Sequence, residues 1–335
     1  MHVKKLVYTI SITIMYLLLL PVVGGCWQIF PDLGEERVGT SSATFLKIGV
    51  GARAAAMGNS YVAVADDATC LYYNPAAMCL LKGDNIVFSH NRWFADIKHN
   101  FLGYFHSYDN LSLGVSFISL TTDDIEVTDE YHPYGTGDYF SYSDFAGGIS
   151  FAYDMTAYFS FGITLKYIQE NLDNLTAKGV LFDLGTYYRT GLGSTRFGVA
   201  LLNFGNRIGP DGTYNLEVYG GGTVKSEYQK FSPPTVFQIG FAFEPIYNPH
   251  HRLTLSSQLN HPTDNAENIS LGTEYAFNET VMLRGGYRIN YSEEQYSLGA
   301  GTALNIGFTD LRVDYAFVNY SNLNNVNRFT FSMSF

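Results

Sequence analysis

The sequence predicts an all-β protein, a transmembrane antiparallel β-barrel of about fourteen strands closed around an N-terminal helical hatch. Three observations carry that prediction. After residue 84, apolar and polar side chains alternate in segments of about ten to twelve residues, the length a tilted spanning strand needs, where strands of soluble proteins run to about five or six. Charged residues make up only 15% of the chain while aromatics reach 16%, through 26 Tyr and 25 Phe; soluble domains carry roughly 25% charge. Finally, the connections sort by length with strand parity, as a barrel with short turns at one rim and long loops at the other requires.

The elements follow in chain order. Lys4 and Lys5 precede an apolar run from Leu6 to Val23 and then "GGC", the charged, greasy, small layout of a secretory signal over residues 1–25. The run is also long enough for a membrane anchor, but no second one follows it. Val23-Gly24-Gly25-Cys26 resembles a bacterial lipobox, which makes Cys26 a candidate for lipidation. Residues 26–39 read as a linker. Cys70 and Cys79 then remain as a pair, either bridged in an oxidising compartment or buried as two small hydrophobes.

Residues 40–83, "TSSATFLKIGVGARAAAMGNSYVAVADDATCLYYNPAAMCLLKG", lack the period of the strands. The Ala-rich part suits short helices that stop at Asn74-Pro75, because the residue before proline avoids the helical region. So apolar and small-sided a segment suits the interior of a barrel, where a closed fourteen-strand wall leaves a lumen that its own side chains do not fill. Buried there, Arg53, Asp66 and Asp67 need partners. They are expected to pair with one another or with lumen charges such as Arg284 and Arg288. Such pairs either fix the hatch or form a latch that a ligand or partner opens.

The expected strands are 84–94, 97–108, 110–122, 142–153, 156–170, 175–189, 195–203, 234–245, 250–260, 267–277, 279–290, 294–305, 308–318 and 326–335. In "TAYFSFGITLKY", Phe159, Phe161, Ile163, Leu165 and Tyr167 share the lipid face. Phe145, Ile149, Phe151 and Tyr153 do the same, as do Leu311, Val313, Tyr315 and Phe317. The opposite faces hold small residues and a few charges, Lys166, Asp183, Arg252, Glu274, Arg284, Arg288, Arg312 and Asp314, as a lumen would. The long connections, 123–141 and 204–233, follow odd-numbered strands, and the short ones follow even-numbered strands. The chain ends on Phe335 at the close of an alternating strand, the aromatic end that barrel assembly machinery reads.

Several function classes are disfavoured. A net charge of −11 offers no basic stripe for nucleic acid. "YGGGTV" at 219–224 lacks the lysine and Ser/Thr of a phosphate loop, and "GVGARA" lacks the third glycine of a dinucleotide fingerprint. His90, His99 and His106 have no acid or cysteine at ligand spacing. The run Asp123, Asp124, Glu126, Asp129 and Glu130 lacks the fixed pattern of a calcium loop. No Ser/His/acid set is brought together, so no enzyme, cofactor or metal is expected.

The stretch "GTSSATFLKIGVGARAAAMGNSYVAVADDATCLYYNPAAM" resembles the N-terminal signature of the PorV/PorQ family of outer-membrane proteins, and its second half more distantly resembles the hatch of the FadL long-chain fatty-acid channels. The residues that carry the match are Gly51, Arg53, Met57, Gly58, Ala63, Asp66, Asp67, Asn74, Pro75 and Ala76. Weaker agreement continues in "FSYSDFAGGISFAY", "LRGGYR" and "VDYAF", so the resemblance spans nearly the whole chain from Thr40. It implies a fourteen-strand FadL-like barrel in the outer membrane of a Gram-negative bacterium. It also implies one of two non-enzymatic roles. One is a type IX secretion component whose outer loops hold the C-terminal domain of a secreted cargo. The other is a transporter for hydrophobic small molecules such as long-chain fatty acids.

Overall fold

The computed structural model describes residues 37–217, 223–291, 294–307, 309–320 and 325–335. The signal peptide expected over 1–25 and Cys26 lie outside the described residues, as does most of "YGGGTV".

Fourteen strands close into one antiparallel barrel. In chain order they are β1 (Gly83–Arg92), β2 (Lys98–Ser107), β3 (Leu111–Thr121), β4 (Tyr142–Thr156), β5 (Phe159–Leu172), β6 (Leu175–Arg189) and β7 (Arg196–Gly205), followed by β8 (Val236–Tyr247), β9 (His251–Pro262), β10 (Asn268–Phe277), β11 (Val281–Ile289), β12 (Glu294–Ile306), β13 (Thr309–Tyr320) and β14 (Val326–Ser334). Each pairs with its chain neighbours, and β1 closes the ring against β14. Antiparallel closure leaves no edge strand, which is what permits a sheet to sit in hydrocarbon. The expected spans fall on these strands within a few residues. Two short hairpins inside the long loops, Ile125–Glu126 with Tyr139–Phe140 and Thr213–Glu217 with Thr223–Glu227, were not legible from alternation.

The alternation points as expected. On β5, Ser160, Gly162, Thr164 and Lys166 are buried inside while Leu165 and Tyr167 are exposed on the outer wall. Ile149, Leu283, Leu298 and Phe331 continue that apolar belt. Short turns join even strands to odd ones at one rim, whereas the connections 122–141 and 206–235 stand on the other.

Residues 40–82 fill the lumen as the hatch, whose helical content is small. It comprises α1 (Ala52–Ala56), α2 (Cys70–Tyr73) and the 3₁₀ turns Thr44–Lys47 and Pro75–Leu80. α2 stops at Asn74, whose extended backbone (φ −163°, ψ 100°) is what a following proline imposes. The hatch starts at the long-loop rim, descends to the short-turn rim at Asp66, and climbs again through α2. There Tyr72 and Tyr73 donate to the carbonyls of Leu46 and Val50 at 2.7 and 2.9 Å. It then descends a second time into β1. Cys70 and Cys79 are both free thiols, buried among apolar neighbours.

Candidate functional site

The hatch backbone is irregular, so its amides and carbonyls need partners that no helix or ladder supplies. The wall supplies them through side chains. Gln258 on β9 accepts from the amides of both Tyr61 and Val62, at 2.8 and 2.9 Å. Ser297 on β12 accepts from the Gly58 amide and donates to the Ala56 carbonyl, both at 3.1 Å. Thr330 on β14 accepts from the Ala52 amide at 2.7 Å, and Arg196 on β7 donates to the Ala63 carbonyl at 2.9 Å. Asn74 spans outward to donate to the carbonyl of Thr186 on β6 at 3.0 Å.

Steric room comes from glycine. Inward positions of six strands, Gly162, Gly185, Gly198, Gly272, Gly286 and Gly299, lie so close to the hatch that a Cβ there would collide with its atoms or with a neighbouring wall group. At Gly162 the colliding atoms are the backbone of Pro75 and Ala76, and at Gly286 those of Met57 and Gly58. The motif residues Met57, Gly58, Asn74, Pro75 and Ala76 are therefore contact points of this seat. Gly51 takes φ +79° just before α1, a region a side chain would strain.

The charges converge in the half of the lumen nearer the short turns. Arg53 makes a two-pronged bond to Glu274 on β10, at 2.7 and 2.9 Å, and a third bond to Asp66. Glu274 also accepts from Arg252 on β9 at 3.0 Å and from Arg284 on β11 at 2.6 Å. Arg284 reaches on to Asp314 on β13 at 2.6 Å. Arg312 lies 3.6 Å from Asp66, and Arg252 grips Glu279 with two bonds of 2.8 Å. Asp67 sits 3.9 Å from Arg53, accepts from the Tyr61 hydroxyl at 2.9 Å, and caps the Thr69 amide. Four guanidiniums thus face five carboxylates. Every carboxylate accepts a charge-assisted bond or a hydroxyl, which is what allows Arg53, Arg284, Glu274 and Asp314 to be buried, while Asp66 and Glu279 stay partly exposed. Burial acts to raise the Asp66 carboxyl, but Arg53 and Arg312 outweigh it and hold the group at about 2.

As expected, Arg53 pairs within the hatch, with Asp66 and at 3.9 Å with Asp67, and it also binds Glu274, the carboxylate it shares with Arg284. One expectation needs correction. Arg288 stands apart, bonded to Glu294 at 3.0 Å toward the long-loop rim, because it lies four residues further along β11. Lys166 and Asp183 form a separate pair at 2.6 Å across β5 and β6, with the Lys166 ammonium above the Tyr72 ring. As for the histidines, His99 is buried inside whereas His90 and His106 lie on the outer face bonded to Asn100 and Asp84. Opposite faces of one sheet cannot share a metal ion. Phe335 closes the ring: its backbone exchanges two bonds with Asp84, at 2.8 and 2.9 Å.

Cavities lie on both sides of the hatch. Toward the loops lies a cavity of about 110 Å³, lined by hatch Leu46, Asn59 and Tyr72 and by wall Leu202, Val236, Gln258 and Arg288. Toward the short turns lies a vestibule of about 670 Å³ lined by Asp66, Arg189, Arg196, Glu244, Arg252 and Arg312. The first mixes apolar and amide groups, whereas the second is rich in charge. Among the described residues the wall ladders are interrupted by local register shifts such as that between Phe243 and Ile246, and β3 is paired on both sides.

Comparison with known proteins agrees with this architecture. The family model for the type IX secretion system protein PorV matches residues 32–264. No curated protein sequence matches the chain. Among solved structures, the CymD monoaromatic hydrocarbon channel is similar with a TM-score of 0.58 at 15% identity, covering 86% of this chain and 98% of that one. The Pseudomonas putida toluene transporter TodX gives 0.56 at 15% identity, covering 85% and 97%. A Pseudomonas aeruginosa FadL homologue gives 0.50 at 11%, covering 86% and 97%. Identities this low establish a shared fold, the FadL-like outer-membrane barrel.

Proposed function

The chain belongs to the family of the type IX secretion system protein PorV, and from that premise we propose that it is a non-enzymatic outer-membrane component of secretion whose outer loops hold a cargo protein by its C-terminal domain. In this reading the long loops face outward, the short turns face the periplasm, and the hatch is a permanent seal. The observation that carries it is a row of aromatic side chains with nothing to cover them. On the 122–141 loop, Tyr131, Tyr134 and Tyr139 are 87%, 96% and 61% exposed, and Leu216 and Val224 of the second hairpin are also exposed. Exposed tyrosines at the rim of a sealed barrel suit protein docking, where rigid aromatic groups supply most of the contact energy.

The lumen supports the same reading. A hydrophobic cargo needs a path past the hatch, whereas the hatch backbone is seated directly on wall glycines such as Gly162 and Gly286. The terminal strand ending at Phe335 serves as the signal for the barrel assembly machinery.

The test is to purify the protein from membranes in mild detergent and identify what accompanies it by mass spectrometry. We expect secreted proteins that share a C-terminal domain, and their loss when Tyr131, Tyr134 and Tyr139 are together replaced by serine. Recovery of fatty acids or hydrocarbons without any protein would overturn the proposal in favour of hydrophobic transport.

A further inference from the structure

On the lipid-facing side, one stretch of wall is both hollow and charged. β3 lies between β2 and β4. Its outward Leu113 and Val115 form the floor of a groove of about 460 Å³, with Tyr104, His106 and Tyr108 along one side and Ile149 along the other. At the short-turn end of the groove, Asp84 of β1 stands directly opposite His106 and also faces outward. Its carboxylate accepts from the Tyr104 hydroxyl at 2.5 Å and lies 2.8 Å from His106 Nδ1, both through the same oxygen, Oδ1. The His106 and Tyr108 rings meet edge to face with centroids 4.5 Å apart. Lys82, just before β1, donates to the carbonyls of Tyr108 and Asp109 in the adjoining turn.

An aromatic girdle accounts for tyrosines at this height, but it accounts neither for the hollow nor for a carboxylate turned toward lipid. An ionisable group on a membrane-facing wall is costly unless something answers its charge. Among the described residues no lysine or arginine lies within 4 Å of Asp84, and its Oδ2 is left to a donor from outside the chain. That donor has to be cationic, to sit where water meets hydrocarbon, and to continue into an apolar groove. We infer that the groove binds an aminophospholipid. The headgroup ammonium lies on Asp84 beside the rings of Tyr104 and Tyr108, the phosphate points toward Lys82, and an acyl chain runs over Leu113 and Val115 against Ile149. An ammonium gains from the negative face of a tyrosine ring, and a zwitterionic headgroup matches the opposite charges that Asp84 and Lys82 present. The lipid belongs to the leaflet next to the short turns, which is the periplasmic one in the orientation proposed above. Its binding depends on neither that orientation nor the cargo.

The test titrates the full-length protein in mild detergent with phosphatidylethanolamine or phosphatidylglycerol of identical acyl chains, read by native mass spectrometry. Phosphatidylethanolamine should bind about fivefold more tightly, the worth of one exposed ammonium contact. Asp84→Asn, which leaves the backbone bonds to Phe335 in place, should bring the two lipids level, and Val115→Trp, which fills the floor, should weaken both. Heat-modifiable migration on gels verifies that each variant is folded; Tyr108→Ala, outside the strands, serves as a second variant and should lower the preference in the same direction. Equal affinity of the two lipids for the wild-type protein, or a preference that survives Asp84→Asn and Tyr108→Ala, overturns the inference and makes the groove a place for ordinary boundary lipid. A photo-crosslinking side chain introduced at Ile149 in living cells then identifies the occupant: a phospholipid adduct is expected, and a protein adduct overturns the inference in favour of a second polypeptide on this wall. Cargo capture by the outer loops stands or falls separately.

Discussion

Glu274 is the residue on which the interior electrostatics turn, because one carboxylate serves Arg53 of the hatch and Arg252 and Arg284 of the wall. Replacing Arg53 with alanine removes the only hatch member of that set and leaves two wall guanidiniums to hold the charge. Breaking a buried pair from one side costs about 3–5 kcal/mol, so the Arg53→Ala barrel should melt earlier and conduct small ions in a planar bilayer where the wild type does not. Equal conductance would show that the pairs contribute nothing to the seal. Asp66 adds a pH dependence. Its carboxyl titrates near 2 in the folded protein, against about 3.9 unfolded, so its contribution is fully present above about pH 4 and is lost as pH falls toward 2. The melting temperature in detergent should drop across that window, and Asp66→Asn should flatten the drop; identical profiles would remove Asp66 from the account. Much of this site was legible beforehand, since Arg53, Asp66 and Glu274 announce themselves as charges where the pattern demands small or apolar groups. Gln258, Ser297 and Thr330 gave no such signal, because an inward polar residue on a barrel strand looks the same whether it faces water or a hatch amide.

At the level of elements, the seat is made by what the strands lack. Inward glycines on β5, β6, β7, β10, β11 and β12 let the hatch backbone lie directly on the sheet. Gly162→Val should push Pro75 and Ala76 off the wall, whereas Gly285→Val, at a position where a Cβ would meet Leu298 at an ordinary 3.9 Å, should be tolerated. Heat-modifiable migration on gels reports whether each barrel folds, and bilayer conductance reports whether the hatch still closes it. A folded, non-conducting Gly162→Val protein would mean that the contact is dispensable. The strands themselves were readable from period-two alternation because lipid on one side and hatch on the other impose opposite chemistries on adjacent residues. The hairpins within the loops were not, since Tyr139–Phe140 and Thr213–Glu217 stand in solvent and no buried face imposes a pattern.

For the molecule as a whole, stability resides in the ring, its filling and the base of the second long loop, where Ile208 is buried and Ser232 binds the hatch, whereas the hairpin at that loop's tip is an appendage. Excising residues 213–227 and rejoining the ends with two glycines should therefore leave unfolding free energy within about 1 kcal/mol of wild type, as the weak dependence of loop closure on length predicts, while abolishing part of the partner capture. A large loss of stability would show that this hairpin belongs to the core. The hatch is tied at both rims, to Ser232 and Asp264 above and through Lys82 and Gly83 into β1 below. β1 is also one lip of the seam that Phe335 and Asp84 fasten. A cord already fixed at both mouths of a bottle must be laid in before the glass is sealed. We expect an order of biogenesis in which the N-terminal stretch is laid into the nascent half-pipe before the last strand meets the first. A chain released early by its insertase would give an empty, leaking ring that later folding of the hatch does not mend.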